Sequence, residues 1–360
     1  MFASDPDQEK KGNSVDFRPA AAAILCLAMH GAASAFAGQS AVVLAYHRFG
    51  EDTLPSTNIR LDQFDAHVRE LSTGKYTVMA LPDIVAAIRE GRDLPDRAVA
   101  ITIDDAYLSV HARAWPRLRK AGLPFTVFVS TDPVDKRYRA LMNWDQIREL
   151  ARAGVTIGNH TASHLHMAGA SPERNAAEIA ASNARFKKQL GFVPRIFAYP
   201  YGEFSLAVRR LVKDAGFIAA FGQHSGVIFR GADRYYLPRF AMNEAYGEFD
   251  RFKLAVNTLP LPVRDLAPAD PLLANGGNPP QISFTVVGDA RRGLGSLTCY
   301  ASGRGKIKHR RMGDGRIKIH LTRAFPAGRT RVNCTMPVGQ GRWRWFGLQF
   351  YAPGGGVKSR

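Results

Sequence analysis

The chain has 360 residues, of which 46% are hydrophobic, 10% aromatic and 22% charged, a composition that excludes disorder, collagen-like repeats and a polytopic membrane protein. Its formal charge of +18 is unevenly spread: from Asp289 to Arg360, sixteen Lys and Arg face only Asp289 and Asp314, a net +14, and the rest is nearly neutral. Residues 1–37 read as an export signal, with an apolar run over 20–29 after Arg18, too short to span a bilayer, and the small-x-small site Ala35-Phe36-Ala37. Leu25 before Cys26 does not suit a lipoprotein box. No transmembrane segment is expected once the signal is removed. Cys299 and Cys334 then remain as an even pair in an exported chain, which favours a disulfide over two buried thiols.

Residues 38–262 alternate short apolar runs with helical patterns, the rhythm of parallel strands joined by crossover helices. Strands are expected at 41–46, 98–103, 125–129, 155–157 and 196–199, and helices at 61–71, 112–120, 144–153, 172–190 and 206–215. The run over 98–103 is apolar almost throughout, as when both sheet faces are covered. Residues 263–281 are rich in Pro, Gly and Asn and read as a linker. Residues 282–353 carry only strand-like runs between Gly-rich turns and read as a basic, sandwich-like all-β module.

The candidate chemistry sits at strand ends. Asp104-Asp105 follow a buried strand, where two carboxylates are costly unless a cation meets them; a helix N-cap is the competing reading. His160-Thr161-Ala162-Ser163-His164 puts two imidazoles on one face if the segment turns helically, and two His with one Asp make a three-ligand metal site with an open position. Tyr199-Pro200-Tyr201-Gly202 forms a corner that can aim a backbone N–H at an oxyanion, or serve as a plain turn.

These three motifs in this order resemble the polysaccharide deacetylase (NodB-homology) family, carbohydrate esterase family four, and in particular exported poly-N-acetylglucosamine deacetylases. The resemblance spans roughly residues 41–245 and does not reach the C-terminal module. It implies an α/β fold with a distorted (β/α) barrel that removes N-acetyl (or O-acetyl) groups from a polysaccharide, using Zn2+ or another divalent transition metal. By the same resemblance Asp104 is the general base, Asp105, His160 and His164 are metal ligands, and Tyr201 offers its N–H to the oxyanion. The chain departs from the family pattern at two motif positions, with Ala106 where a Gly is usual and Ala198 where an Arg usually braces the catalytic aspartate. Arg239 is the candidate replacement, against a plain surface arginine. The late Leu-x-His motif that supplies the general acid is not found after residue 245; His47 is the candidate for that role, with His224 as a rival and a structural histidine as the plain alternative.

The partners expected are an acetylated polysaccharide substrate and, for the basic module, an anionic envelope polymer. Trp343-Arg344-Trp345-Phe346 and the basic run over 306–311 could supply stacking and phosphate contacts, but export argues against nucleic acid. A catalytically inactive carbohydrate binder of the same fold is the competing function. The expected location is the periplasm or the extracellular space.

Overall fold

Runs of Val, Ile, Leu, Ala and Phe that are buried on both faces build the main sheet. In the computed structural model, which describes residues 39–274 and 276–354, these are β1 (Ser40–Tyr46), β2 (Ala98–Asp104), β3 (Phe125–Val129), β4 (Thr156–Asn159), β5 (Ile196–Ala198) and β6 (Ala219–Phe221). The signal segment and Cys26 lie outside the described residues. All six strands run parallel in the order β1-β2-β3-β4-β5-β6.

The sheet curls because its two ends share one segment. Leu237 bridges Phe221 at the end of β6, and Phe240–Ala241 pairs with Leu44 and Ala45 of β1. Residues 237–241 therefore form the seam of the curled sheet, and Arg239 sits in the middle of it. The helices begin where local chemistry dictates. Asn143 and Gln146 form a reciprocal capping box ahead of Trp144–Arg152, and Ser171 caps Pro172–Leu190, which has Pro at its first position.

The stretch expected to be a linker starts as a strand. β7 (Val263–Ala267) pairs antiparallel with β8 (Ser283–Val286), which pairs with β10 (Arg316–Ile319), and β10 with His309–Arg311. A second sheet holds Leu259–Pro260, β12 (Arg342–Ala352), β11 (Gly328–Gly339), β9 (Thr298–Ala301) and Gly305–Ile307 in that order. Phe284, Ile317, Val332, Cys334, Met336, Leu348 and Phe350 fill the core between these two sheets.

Period-two alternation sends the other residues of β11 and β12 toward the barrel. Arg331 pairs with Gln349, Asn333 with Gly347, and Thr335 with Trp345. Trp345 meets Phe240 of the seam edge-on at 5.3 Å, and a Cβ at Gly347 would collide with the carbonyl oxygen of Ser225. The module is thus seated directly over the barrel, and glycine at 347 is what permits the approach. Among the described residues, no helix is long and apolar enough to cross a membrane.

Cys299 and Cys334 are register partners on β9 and β11 and are joined by a disulfide. The bridge closes a loop with a sequence separation of 35 residues, worth about 4 kcal/mol by loop entropy. Replacing both cysteines by alanine is expected to lower unfolding free energy by about 2–4 kcal/mol in a denaturant titration, with the loss traced to the module.

Candidate active site

β2 ends at Asp104, whose side chain is fully buried. A buried carboxylate needs a cation, and Arg239 from the seam provides it with two parallel bonds: Nη1 donates to Oδ1 at 2.6 Å and Nη2 to Oδ2 at 2.8 Å. The guanidinium is itself fully buried and held in place, donating from Nε to the Gly222 carbonyl at 2.8 Å and from Nη1 to Thr102 Oγ1 at 3.1 Å. Gln223 Nε2 donates to Asp104 Oδ2 at 3.1 Å. Burial alone would raise the Asp104 carboxyl, but the Arg239 charge, with the His160 ring and the Arg239 hydrogen bonds, outweighs it and holds the group well below the usual carboxylate range.

One residue on, the chain turns through a left-handed conformation, with φ 61° at Asp105. This turn sends the two adjacent carboxylates in different directions, Asp104 toward Arg239 and Asp105 toward the histidines. Asp105 Oδ1 lies 4.0 Å from His160 Nε2 and 3.6 Å from His164 Nε2, and one ligand atom from each of the three residues falls within 4.8 Å of the others.

The two histidines converge, but not by helical spacing. Residues 160–164 form an irregular loop in which Thr161 and His164 have φ 70° and 61°. The Asn159 side chain accepts from the Thr161 N–H at 2.8 Å, and Thr161 Oγ1 accepts from the His164 N–H at 3.1 Å, so two local bonds hold the loop. A β-branched residue at positive φ costs on the order of 1–3 kcal/mol, which places strain where the imidazoles are aimed.

The chemistry of the donor set fits a metal ion. His160 is fully buried and its Nδ1 lies 2.7 Å from the Ala198 carbonyl oxygen. A carbonyl can only accept, so Nδ1 carries a proton, and in the neutral ring the lone pair is on Nε2. That buried Nε2 has no hydrogen-bond partner and faces Asp105 and His164. Burial, with the His160 ring adding, pushes the His164 ring down to about 4, so it is neutral near pH 7 with a lone pair of its own.

His47 Nε2 lies 3.8 Å from Asp104 Oδ2. Burial lowers its pKa, an effect that the Asp104 and Asp105 charges oppose. His47, Asp105, His164 and Tyr201 line one cavity of about 490 Å³, with Ala106 and Tyr107 in its wall. Tyr201 sits at φ 59° in the Pro200–Gly202 turn, and its ring stacks on His166 at 3.9 Å and meets His164 edge-on at 4.4 Å. His224 does not line this cavity; it is buried against Tyr236, 4.2 Å between ring centroids.

Three residues at this site were not expected from the sequence. Gln223 follows the last barrel strand, a position that could have marked it. Arg329 and Gln349 come from the module and donate to the Tyr201 carbonyl at 3.3 and 2.9 Å; only the register of β11 and β12 reveals them.

The profile of the polysaccharide deacetylase family matches residues 91–220. The chain is 22% identical to the poly-beta-1,6-N-acetyl-D-glucosamine N-deacetylase of Staphylococcus aureus (strain MRSA252), over 57% of this chain and 79% of that protein. Its fold is shared with the Streptococcus pyogenes deacetylase PplD, solved in complex with acetate, at TM-score 0.55 and 20% identity over 59% of this chain and 96% of that one. IcaB from Ammonifex degensii gives TM-score 0.54 and 25% identity over the same shares. The family profile lies across β2 to β6 and the curled sheet is shared with these deacetylases, so residues 91–220 carry a polysaccharide deacetylase domain within the barrel.

Proposed function

We propose that the protein is a metal-dependent N-deacetylase acting on an exported or envelope polysaccharide built from N-acetylhexosamine, releasing acetate and leaving a free amino sugar. The observation that carries this reading is the convergence of an Asp105–His160–His164 donor set, whose Asp105 and His164 line the cavity, beside a buried carboxylate that Arg239 keeps ionised. Export is supported by the Cys299–Cys334 bridge, which suits an oxidising compartment. The poly-N-acetylglucosamine relative supports the sugar class.

Asp105, His160 and His164 would hold a divalent ion, zinc as the first choice, which when bound would polarise the acetyl carbonyl and bring a water's pKa toward neutrality. Asp104 is the base: with Oδ1 and Oδ2 both held by Arg239, its ionised form is the resting form. His47 stands beside Oδ2. Because burial favours its neutral ring, the His47 proton is taken up during turnover from Asp104 and handed to the leaving amine, rather than stored beforehand. Tyr201 presents its backbone N–H toward the developing oxyanion, and the bonds from Arg329 and Gln349 to its carbonyl fix that peptide corner.

Asp104→Asn is expected to keep its metal content, read by elemental analysis, and to lose about 10³-fold or more of acetate release. His160→Ala should lose both. Equal activity in either variant ends the assignment of roles. Chelation should abolish acetate release, and added zinc should restore it.

Arg239→Met removes the cation from a buried carboxylate and should cost about 3–5 kcal/mol in unfolding free energy. Asp104's folded pKa is depressed, so its contribution to stability is complete above its unfolded value and fades as pH falls through the folded one. In the variant that depression is lost. The acid limb of the pH–activity profile should therefore move to higher pH by a unit or more, and an unmoved limb would refute the brace.

A further inference from the structure

Between the barrel and the module, a second cavity of about 400 Å³ opens beside the catalytic one, and Gln223 lines both. Its walls include Tyr246, Tyr300, Trp343 and Trp345, and it receives two guanidiniums, those of Arg251 and Arg331. The neighbouring arginines carry their own counter-charges: Arg344 has Asp289 at 2.7 Å, Arg342 has Asp96 at 3.5 Å, and Arg329 has Glu203 at 3.8 Å.

Arg251 and Arg331 differ. Among the described residues neither has a carboxylate ion-pair partner. Arg331 uses Nε to reach the Gln349 side chain at 3.1 Å, and the strongest charge acting on it is the like charge of Arg329. Arg251 lies over the rings of Trp345 and Phe240 at 5.2 and 5.5 Å, and its Nη1 is buried with no hydrogen-bond partner. Burial depresses both guanidiniums, the direction expected for cations gathered in a partly dry cleft without their anion. The aromatic walls offer flat apolar surface of the kind that sugar rings stack on.

We propose that this cleft is an anion subsite that takes a carboxylate or phosphate borne by the glycan, on a sugar near the one whose acetyl group lies at the Asp105–His160–His164 cluster. The inference rests on the deacetylase reading for its substrate, and it assigns the module a share in choosing that substrate. A groove runs from one cavity to the other: Arg329, His47 and Gln223 line a connecting space together with Arg331 and Ser302. A polymer strand lying in this groove would meet Asp105, His164 and His47 at one end and the two unneutralised arginines at the other.

The test is equilibrium titration of the full chain with three soluble probes at low and high salt. The probes are a neutral N-acetylglucosamine oligomer, an oligomer alternating N-acetylglucosamine with a uronic acid, and a phosphate-bearing N-acetylglucosamine oligomer. At low salt one or both acidic probes are expected to bind at least roughly tenfold more tightly than the neutral one, with the advantage shrinking as salt rises. The Arg251→Gln, Arg331→Gln double variant should lose that advantage, while its affinity for the neutral probe moves by less. Whichever acidic probe loses more affinity identifies the group recognised. Equal binding of neutral and acidic probes by the native protein, or an advantage retained in the double variant, overturns the proposal. Should the double variant fold poorly, Arg331→Lys and Arg331→Gln singly, with the native salt dependence, decide the matter, since Lys keeps the charge. Acetate release from each probe is measured in parallel. Acidic preference without acetate release defeats the deacetylase reading and leaves the subsite standing; acetate release without acidic preference does the reverse.

Discussion

A single buried ion pair governs the architecture of this site. Asp104 at the end of β2 and Arg239 in the barrel seam are both removed from water, and neither could be there alone, because an unpaired charge in that interior costs several kcal/mol. Together they satisfy nearly every polar atom they carry: two bonds to each other, one from Gln223, one to Thr102 and one to the Gly222 carbonyl. The pair fixes the direction of the Asp104 carboxylate, and the left-handed turn at Asp105 then aims the next carboxylate at His160 and His164. The convergence of the Asp105, His160 and His164 donors and the ionised state of Asp104 thus come from the same few ångströms of backbone.

The C-terminal module is tied into this arrangement through its strand alternation. One face of β11 and β12 builds the module's own apolar core, and the other presents Arg331, Gln349 and Trp345 to the barrel. Gln349 supports the Tyr201 corner directly. The excess positive charge of this part of the chain is therefore not spread evenly over a solvated surface; some of it is turned inward, into the space beside the catalytic cavity.

The strand and helix rhythm of the barrel was legible because fully apolar strands and amphipathic helices have different periods, and runs such as that of β2 admit few other readings. Strand ends are where parallel sheets gather functional groups, and that rule pointed to Asp104, Asp105, His160 and His164. What local pattern could not show is how the imidazoles meet: the i, i+4 spacing suggested a helical face, whereas His160 and His164 reach the same point through left-handed backbone at Thr161 and His164, held by Asn159 and Thr161. Arg239 could be suspected only because Ala198 offered no cation. Arg251, Arg329 and Gln349 were out of reach, since their positions depend on sheet register and on how barrel and module pack, which are long-range properties. The strand character of Val263–Ala267 was hidden by the prolines that follow it.

The seam has a consequence for how the protein comes to work. Arg239 enters the interior only when residues 237–241 bridge β6 to β1. A nascent or partly denatured chain in which that stitch is undone holds a carboxylate that must either find water or take up a proton, and in the second case the base proposed above is silent. The ionised state of Asp104 thus depends on barrel closure, so that under the proposed reading a half-assembled form of the molecule would lack its base.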